Sequence, residues 1–240
     1  MPSFKAFVLN SIDYKESSKI LYLYTLQGQL SVLAHGVKKM NRINGFLSQN
    51  GTLINLEISS AKLPSLRDGE IIHDYENIKS DLDKYTYMNH VMELVRHVIS
   101  DDLDHTKMFA FLEKLFEKMD SGIDEEILSF IFELKLLYFV GYGLNFKKCA
   151  VCDKNEFLVF NVSNGGLVCK EHLSFRDLSY EKDIYTHLMA LYYIDLDKDD
   201  IIKLSANERV IIRHIIDMLY AEFISFKTKS REIIKQIKKY

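Results

Sequence analysis

The chain is 240 residues long and 48% apolar, with two prolines, three cysteines, no tryptophan and a formal charge of −3. This composition supplies a hydrophobic core and excludes a disordered or linker-dominated chain; no apolar run approaches the roughly 18 residues that a membrane helix needs. The opening MPSFKAFVLN lacks the charged and apolar regions of a secretory leader, and an odd cysteine count suits a reducing compartment, so a cytoplasmic protein of two or three compact parts is expected.

In chain order, residues 4–35 carry the short apolar runs of β-strands. FKAFVLNSIDY and KILYLYTL lead through a turn at Gln27-Gly28-Gln29 into LSVLAHG. After the basic loop GVKKMNRINGF, the segment GTLINLEISS sets Leu53, Asn55 and Glu57 against Ile54, Leu56 and Ile58. A two-residue period of this kind marks a strand. A turn-like KLPSLRDGE precedes EIIHDYE. Five short strands in about 75 residues predict a small barrel, since a sandwich normally takes more strands.

From Ile78 the period changes. Met88, Val91, Val95 and Val98/Ile99 recur at helical spacing, as do Met108, Leu112, Leu115/Phe116 and Met119. ILSFIFELKLLYFVGYG is apolar on almost every side, interrupted only by Glu133 and Lys135. It predicts the buried centre of a bundle, with Gly141 and Gly143 placed to end the helix. YTHLMALYYI and ANERVIIRHIIDMLYAEFISF resume the helical period, and Ser205 with Glu208 has capping-box spacing before the second. The expected fold class is multi-domain α+β. Its parts are a β domain over 1–77, a helical domain over 78–148 and 176–240, and an insert over 149–175.

That insert holds all three cysteines. Cys149 and Cys152 form C-x2-C, sixteen residues intervene, and Cys169 and His172 form C-x2-H. Paired donors on two tight turns can face one ion, and FLVF…GGLV fits a hairpin that brings the turns together, with Asn164-Gly165-Gly166 at its bend. Three thiolates and an imidazole suit tetrahedral zinc. Four protein ligands leave no open position, so the zinc is expected to be structural. Lys147, Lys148 and Lys170 stand near the excess negative charge of three thiolates. No G-x-x-x-x-G-K-[ST], H-E-x-x-H or G-x-S-x-G occurs, and Gly141-x-Gly143 is too short for a dinucleotide fingerprint. No enzymatic activity is expected.

The order of these pieces resembles the bacterial RecO family, DNA recombination mediators of the RecF pathway. The likeness is carried by FVLNSIDYKESSKILYLYT, LSVLAHGVKKMNRINGFL, IIHDYENIKSDLDKYTYMNHVMELV, FELKLLYFVGYGLNFKKCAVC and GGLVCKEH, which span nearly the full length. The resemblance implies an N-terminal OB-fold, a helical C-terminal domain with a zinc-bearing insert, binding of single- and double-stranded DNA, and annealing of complementary strands. It further implies action with RecR, recognition of the acidic tail of single-strand-binding protein, RecA loading in DNA repair, and association with the nucleoid through DNA. His172 stands where the family commonly has cysteine.

Charge fits a polyanionic partner. Residues 1–67 hold eight Lys/Arg against three Asp/Glu, and residues 80–148 hold eight against thirteen. Lys38, Lys39 and Arg42 in one loop, with Lys5, Lys15, Lys19, Lys62 and Arg67, are the candidate phosphate contacts. Phe46, on that loop, leads the candidate base platforms; Phe4, Tyr14, Tyr22 and Tyr24 follow, although core packing is the commoner fate of strand aromatics. In the basic FKTKSREIIKQIKKY, Lys235, Lys238 and Lys239 either meet phosphate or complement a helix end. Arg209 and Arg213 beside Ile212, Ile216 and Leu219 are the candidate seat for an acidic peptide. A scaffold whose β domain binds no nucleic acid is the alternative reading.

Overall fold

The computed structural model describes residues 3–37, 47–101, 103–156, 158–173, 182–198 and 200–238. Five antiparallel strands come first: β1 (Ser3–Tyr14), β2 (Ser18–Thr25), β3 (Gly28–Ala34), β4 (Leu53–Ile58) and β5 (Leu66–His73). Their order is β3-β2-β1-β4-β5, and a parallel bridge between Leu33 and Ser65 brings the first strand of that order to the last. The result is an OB-like barrel. Ala6, Val8, Leu21, Leu23, Val32, Ala34, Ile54 and Leu56 alternate along four strands and fill its interior, as a two-residue side-chain period requires. β5 begins inside the segment expected to be a turn: Leu66, Asp68 and Gly69 pair with Ile58, Glu57 and Leu56. A glycine and three exposed charged residues hide a strand that only its neighbour reveals.

Among the described residues, four helices complete the first compact unit, which comprises Met1–Glu125 and Thr228–Lys239. They are α1 (Glu76–Lys79), α2 (Leu82–Val98), α3 (His105–Asp120) and, after a second unit intervenes, Lys229–Lys238. Asp81 accepts from the backbone N–H of Asp83 and Lys84 to cap α2, and Asp104 accepts from Lys107 N–H to cap α3. The strand residues that point away from the barrel interior are covered in turn. Phe7 meets Phe109 at 5.1 Å and Phe116 at 5.7 Å between ring centroids, and the Tyr24 hydroxyl lies 3.1 Å from His105 Nδ1. β1 and β2 are thus buried on both faces over part of their length. Compactness therefore joins the barrel to α2 and α3 and does not divide the chain where the sequence period changes.

The second unit, Glu126–Lys227, contains α4 (Glu125–Phe139, save its first residue), the hairpin strands β6 (Val159–Asn161) and β7 (Gly166–Val168), α5 (Lys182–Tyr193) and α6 (Ala206–Phe223); Lys229–Lys238 is α7. From Glu126 to Leu137 every residue of α4 but Lys135 is buried. Gly141 ends it as expected: at φ 93 it lets Tyr142 N–H reach Leu137 O at 2.8 Å and its own N–H reach Tyr138 O at 3.1 Å, a Schellman closure. The capping box at Ser205 and Glu208 is present.

The proposed peptide seat on α6 is corrected. Ile212, Ile216 and Leu219 are fully buried, and both arginines are spent on carboxylates of α4. Arg213 grips Glu133 at 2.6 and 2.7 Å, and Arg209 meets Glu126 at 3.0 Å. The two buried carboxylates of this largely apolar helix must be neutralised, and this stripe of α6 supplies the cations. Among the described residues no helix is long and apolar enough to cross a membrane.

Candidate metal centre and nucleic-acid face

The metal candidate is assembled from two tight turns and a hairpin. In the first turn, Asp153 N–H reaches Cys149 O at 3.1 Å and Cys149 N–H reaches Lys154 O at 2.8 Å, with Asp153 in the left-handed region at φ 63. The second is a short 3-10 turn, Lys170–His172, in which His172 N–H reaches Cys169 O at 2.9 Å. β6 and β7 pair Val159 with Val168 and Asn161 with Gly166. Asn161 Oδ1 accepts from Asn164 N–H at 2.8 Å, fixing the bend. The hairpin is held to the segment after α4 by Asn145, whose N–H and carbonyl bond Gly165 O at 2.9 Å and Leu167 N–H at 2.8 Å. A Cβ on Gly166 would lie 2.5 Å from Asn145 O, so only glycine fits this approach.

The four donor atoms of Cys149, Cys152, Cys169 and His172 all lie within 4.8 Å of one another. Cys152 and Cys169 sulfurs are 3.6 Å apart, and His172 Nδ1 is 3.3 Å from Cys169 Sγ and 3.7 Å from Cys149 Sγ. Zinc–ligand bonds of about 2.0–2.3 Å in a tetrahedron give edges of about 3.3–3.8 Å, so the donor set fits zinc. Burial pushes the Cys149 thiol up, but the backbone N–H groups of Cys169, Val151 and Cys152 outweigh it and bring the group down to about 6, the direction a metal ligand needs. Charge is balanced around the turns. Lys148 pairs with Asp153 at 2.5 Å, and Lys154 joins the two turns through Glu171 at 2.7 Å. Lys154 was not singled out from sequence; the signal was a lysine and a glutamate each placed two residues after a cysteine ligand.

The candidate phosphate contacts are divided. Lys38, Lys39, Arg42 and Phe46 lie outside the described residues. Lys5 is half-buried and its ammonium is paired with Glu113 of α3, so it offers no free cation. Lys15 is exposed in the β1–β2 turn, 5.3 Å from the Tyr14 ring. Lys19 stands opposite Ala34, next to Leu33, which bridges Ser65; exposed Lys62 and Arg67 lie on either side of Ser65. The backbone at Lys19 and at Ser65, which Lys62 and Arg67 flank in sequence, thus meets the end of β3. Of the aromatic candidates, Tyr24 is fully buried and Phe4 packs against the barrel interior. Arg96 lies over Tyr22 at 4.1 Å, and Tyr14 is 37% exposed.

Two family descriptions match the chain: "Recombination protein O N terminal" over residues 1–75 and "Recombination protein O C terminal" over residues 79–232. A Bacillus cytotoxicus protein named DNA repair protein RecO is 27% identical over 239 residues, covering 97% of this chain and 96% of its own. A Clostridium novyi protein of the same name is 29% identical over 242 residues, covering 98% and 94%.

Proposed function

The chain belongs to the recombination protein O family, and from that premise we propose that it is a DNA-binding mediator of recombinational repair that works without covalent chemistry. In this reading the barrel holds single-stranded DNA, and the protein anneals complementary strands. With RecR it helps load RecA onto strands coated by single-strand-binding protein, whose acidic tail it recognises. Its place is the cytoplasm, on the nucleoid when DNA is bound.

What supports the reading is the backbone register that sets Lys19 opposite the end of β3, where Leu33 bridges Ser65 between Lys62 and Arg67; Lys38, Lys39 and Arg42 follow that strand in the chain. Cations set along one path neutralise phosphates and release counterions. Two strands so neutralised repel each other less, and bases left uncovered can pair. Lys15 with Tyr14 supplies a cation and a partly exposed ring at the β1–β2 turn. Cys149, Cys152, Cys169 and His172 would hold zinc, which closes the hairpin and takes no part in strand exchange.

The test is annealing of complementary oligonucleotides, naked and coated by single-strand-binding protein, at two salt concentrations. Annealing that weakens at high salt is expected. Changing Lys38, Lys39 and Arg42 together to Ala should flatten the salt slope; unaltered annealing in that variant would place the DNA path elsewhere. Binding undetectable even at low salt would leave a protein scaffold as the function.

A further inference from the structure

Cys152 and Cys169 are brought together by more than the need for four metal donors. The turn that carries Cys152 is tied to the segment that carries Cys169 on both sides of the pair. Ala150 N–H reaches Leu167 O at 2.8 Å, and Lys154 Nζ donates to Glu171 at 2.7 Å. Ala150 and Lys154 stand two residues before and after Cys152, and Leu167 and Glu171 stand two residues before and after Cys169. The two cysteines thus sit at the midpoint of a bracket, with their sulfurs 3.6 Å apart. A disulfide needs about 2.0 Å, so a small side-chain movement inside the bracket closes the gap.

The third cysteine is placed otherwise. Cys149 is fully buried, its N–H turns back to Lys154 O within its own turn, and its sulfur lies 3.7 Å from His172 Nδ1. Cys152 is the one partly exposed thiol of the three. Cys169 is 3% exposed and borders an open cleft lined by both turns, from Asp153 to Glu156 on one side and at Lys170 and Glu171 on the other. A sensitive cysteine is one that solvent reaches, with a second thiol poised to resolve it. Cys152 and Cys169 have those two parts.

We propose that Cys152 and Cys169 form a reversible disulfide under attack by hydrogen peroxide, which makes the metal clamp an oxidant-sensitive site as well. The Cys152 thiolate attacks the peroxide: an S–O bond forms, the O–O bond breaks and hydroxide leaves. The Cys169 thiolate then attacks the Cys152 sulfur: the S–S bond forms, the S–O bond breaks and a second hydroxide leaves. The two thiolates lose two electrons, and the peroxide gains them. Cys149 and His172 remain, two donors where a structural zinc takes four. With three cysteines in the chain, Cys149 has no thiol left to pair with, so one bond per chain is the limit. A thiol reductant reverses it by exchange. Loss of zinc rests on the metal reading above; the disulfide does not.

The test uses the zinc-loaded full-length protein. It is treated with a slight excess of hydrogen peroxide, the remaining thiols are blocked with N-ethylmaleimide, and intact mass, peptide map and free zinc are read from one sample. The expected result is one disulfide per chain joining Cys152 to Cys169, with Cys149 alone alkylated. One zinc per chain should reach a chromogenic chelator, and dithiothreitol should restore all three thiols. In Cys152→Ser, whether or not it retains metal, peroxide should leave Cys149 and Cys169 unlinked. Three alkylated cysteines in the treated wild type, a Cys149–Cys152 link, or oxidation of Cys152 to a sulfinic acid without a link would each overturn the proposal. A Cys152–Cys169 link in protein that holds no zinc would uphold the disulfide and overturn the metal reading alone.

Discussion

Gly166 and Arg213 show two ways in which one side chain governs the second unit. At Gly166 the constraint is space: a methyl group would enter the Asn145 backbone. Gly166→Ala is therefore expected to cost about 1–3 kcal/mol and to loosen metal retention, read by thermal unfolding and by the rate of zinc transfer to a chelator. At Arg213 the constraint is charge. The guanidinium is almost fully buried against an equally buried Glu133, which also accepts from Ser129 Oγ at 3.0 Å. Arg213→Met strands the carboxylate and should cost about 3–5 kcal/mol, whereas Arg213→Met/Glu133→Leu should recover most of the loss. Denaturant unfolding of both variants decides the matter; an equal loss in the two would mean that packing, not charge, holds this stripe. The sequence contained half of this. Glu133 is conspicuous on an apolar helix, but its partner lies 80 residues away, and Arg213 read alone looks like the rim of a groove. Lys5 misleads in the same way, since Glu113 lies 108 residues distant.

Elements whose cause is local were legible; those defined by a neighbour were not. The alternation of β4, the capping box of α6 and the glycine that closes α4 each state their own structure. β5 does not, because Arg67, Asp68, Gly69 and Glu70 have the composition of a turn and become a strand only against β4. The clustering of the four candidate donors was legible, since spacing alone brings two pairs onto two turns. Two predictions belong to this scale. The hairpin strands are three residues each, and the insert's own buried cluster is little more than Cys149, Val168 and Cys169, too little to stand without a metal. Chelation of zinc-loaded protein should lower the unfolding temperature of the second unit and leave the barrel's transition in place, as followed by calorimetry. In α6, hydrogen bonds from Ser205, with His187 beside it, hold the Glu208 carboxyl below the usual carboxylate range. A depressed group stabilises fully above the unfolded glutamate value of about 4.3 and loses that contribution as pH falls through its lower folded value. Acid should therefore fray α6 in wild type, while Glu208→Gln should show a flatter stability profile in that window.

At the scale of the whole molecule, the chain leaves its first unit at Glu125 and returns to it at Thr228. The returning α7 is held to α2 by contacts that no basic tail requires. His90 Nδ1 lies 2.5 Å from Thr228 Oγ1, Ser230 Oγ donates to Glu93 at 3.1 Å, and Ile234 is buried. Lys238 lies 3.5 Å from Glu125, so this lysine faces a carboxylate, which neither reading of the basic end anticipates. A chain ended after Lys227 should lose barrel-unit stability while keeping zinc stoichiometry; unchanged unfolding of that unit would make α7 an appendage.

The same connectivity has a consequence during synthesis. The barrel and α2 are made first, but their last covering helix is made only after roughly a hundred further residues, an interval of about 5–20 s at ordinary translation rates. For that time a greasy flank stands bare on every nascent copy, and chaperone traffic and the spacing of ribosomes on the message become determinants of yield.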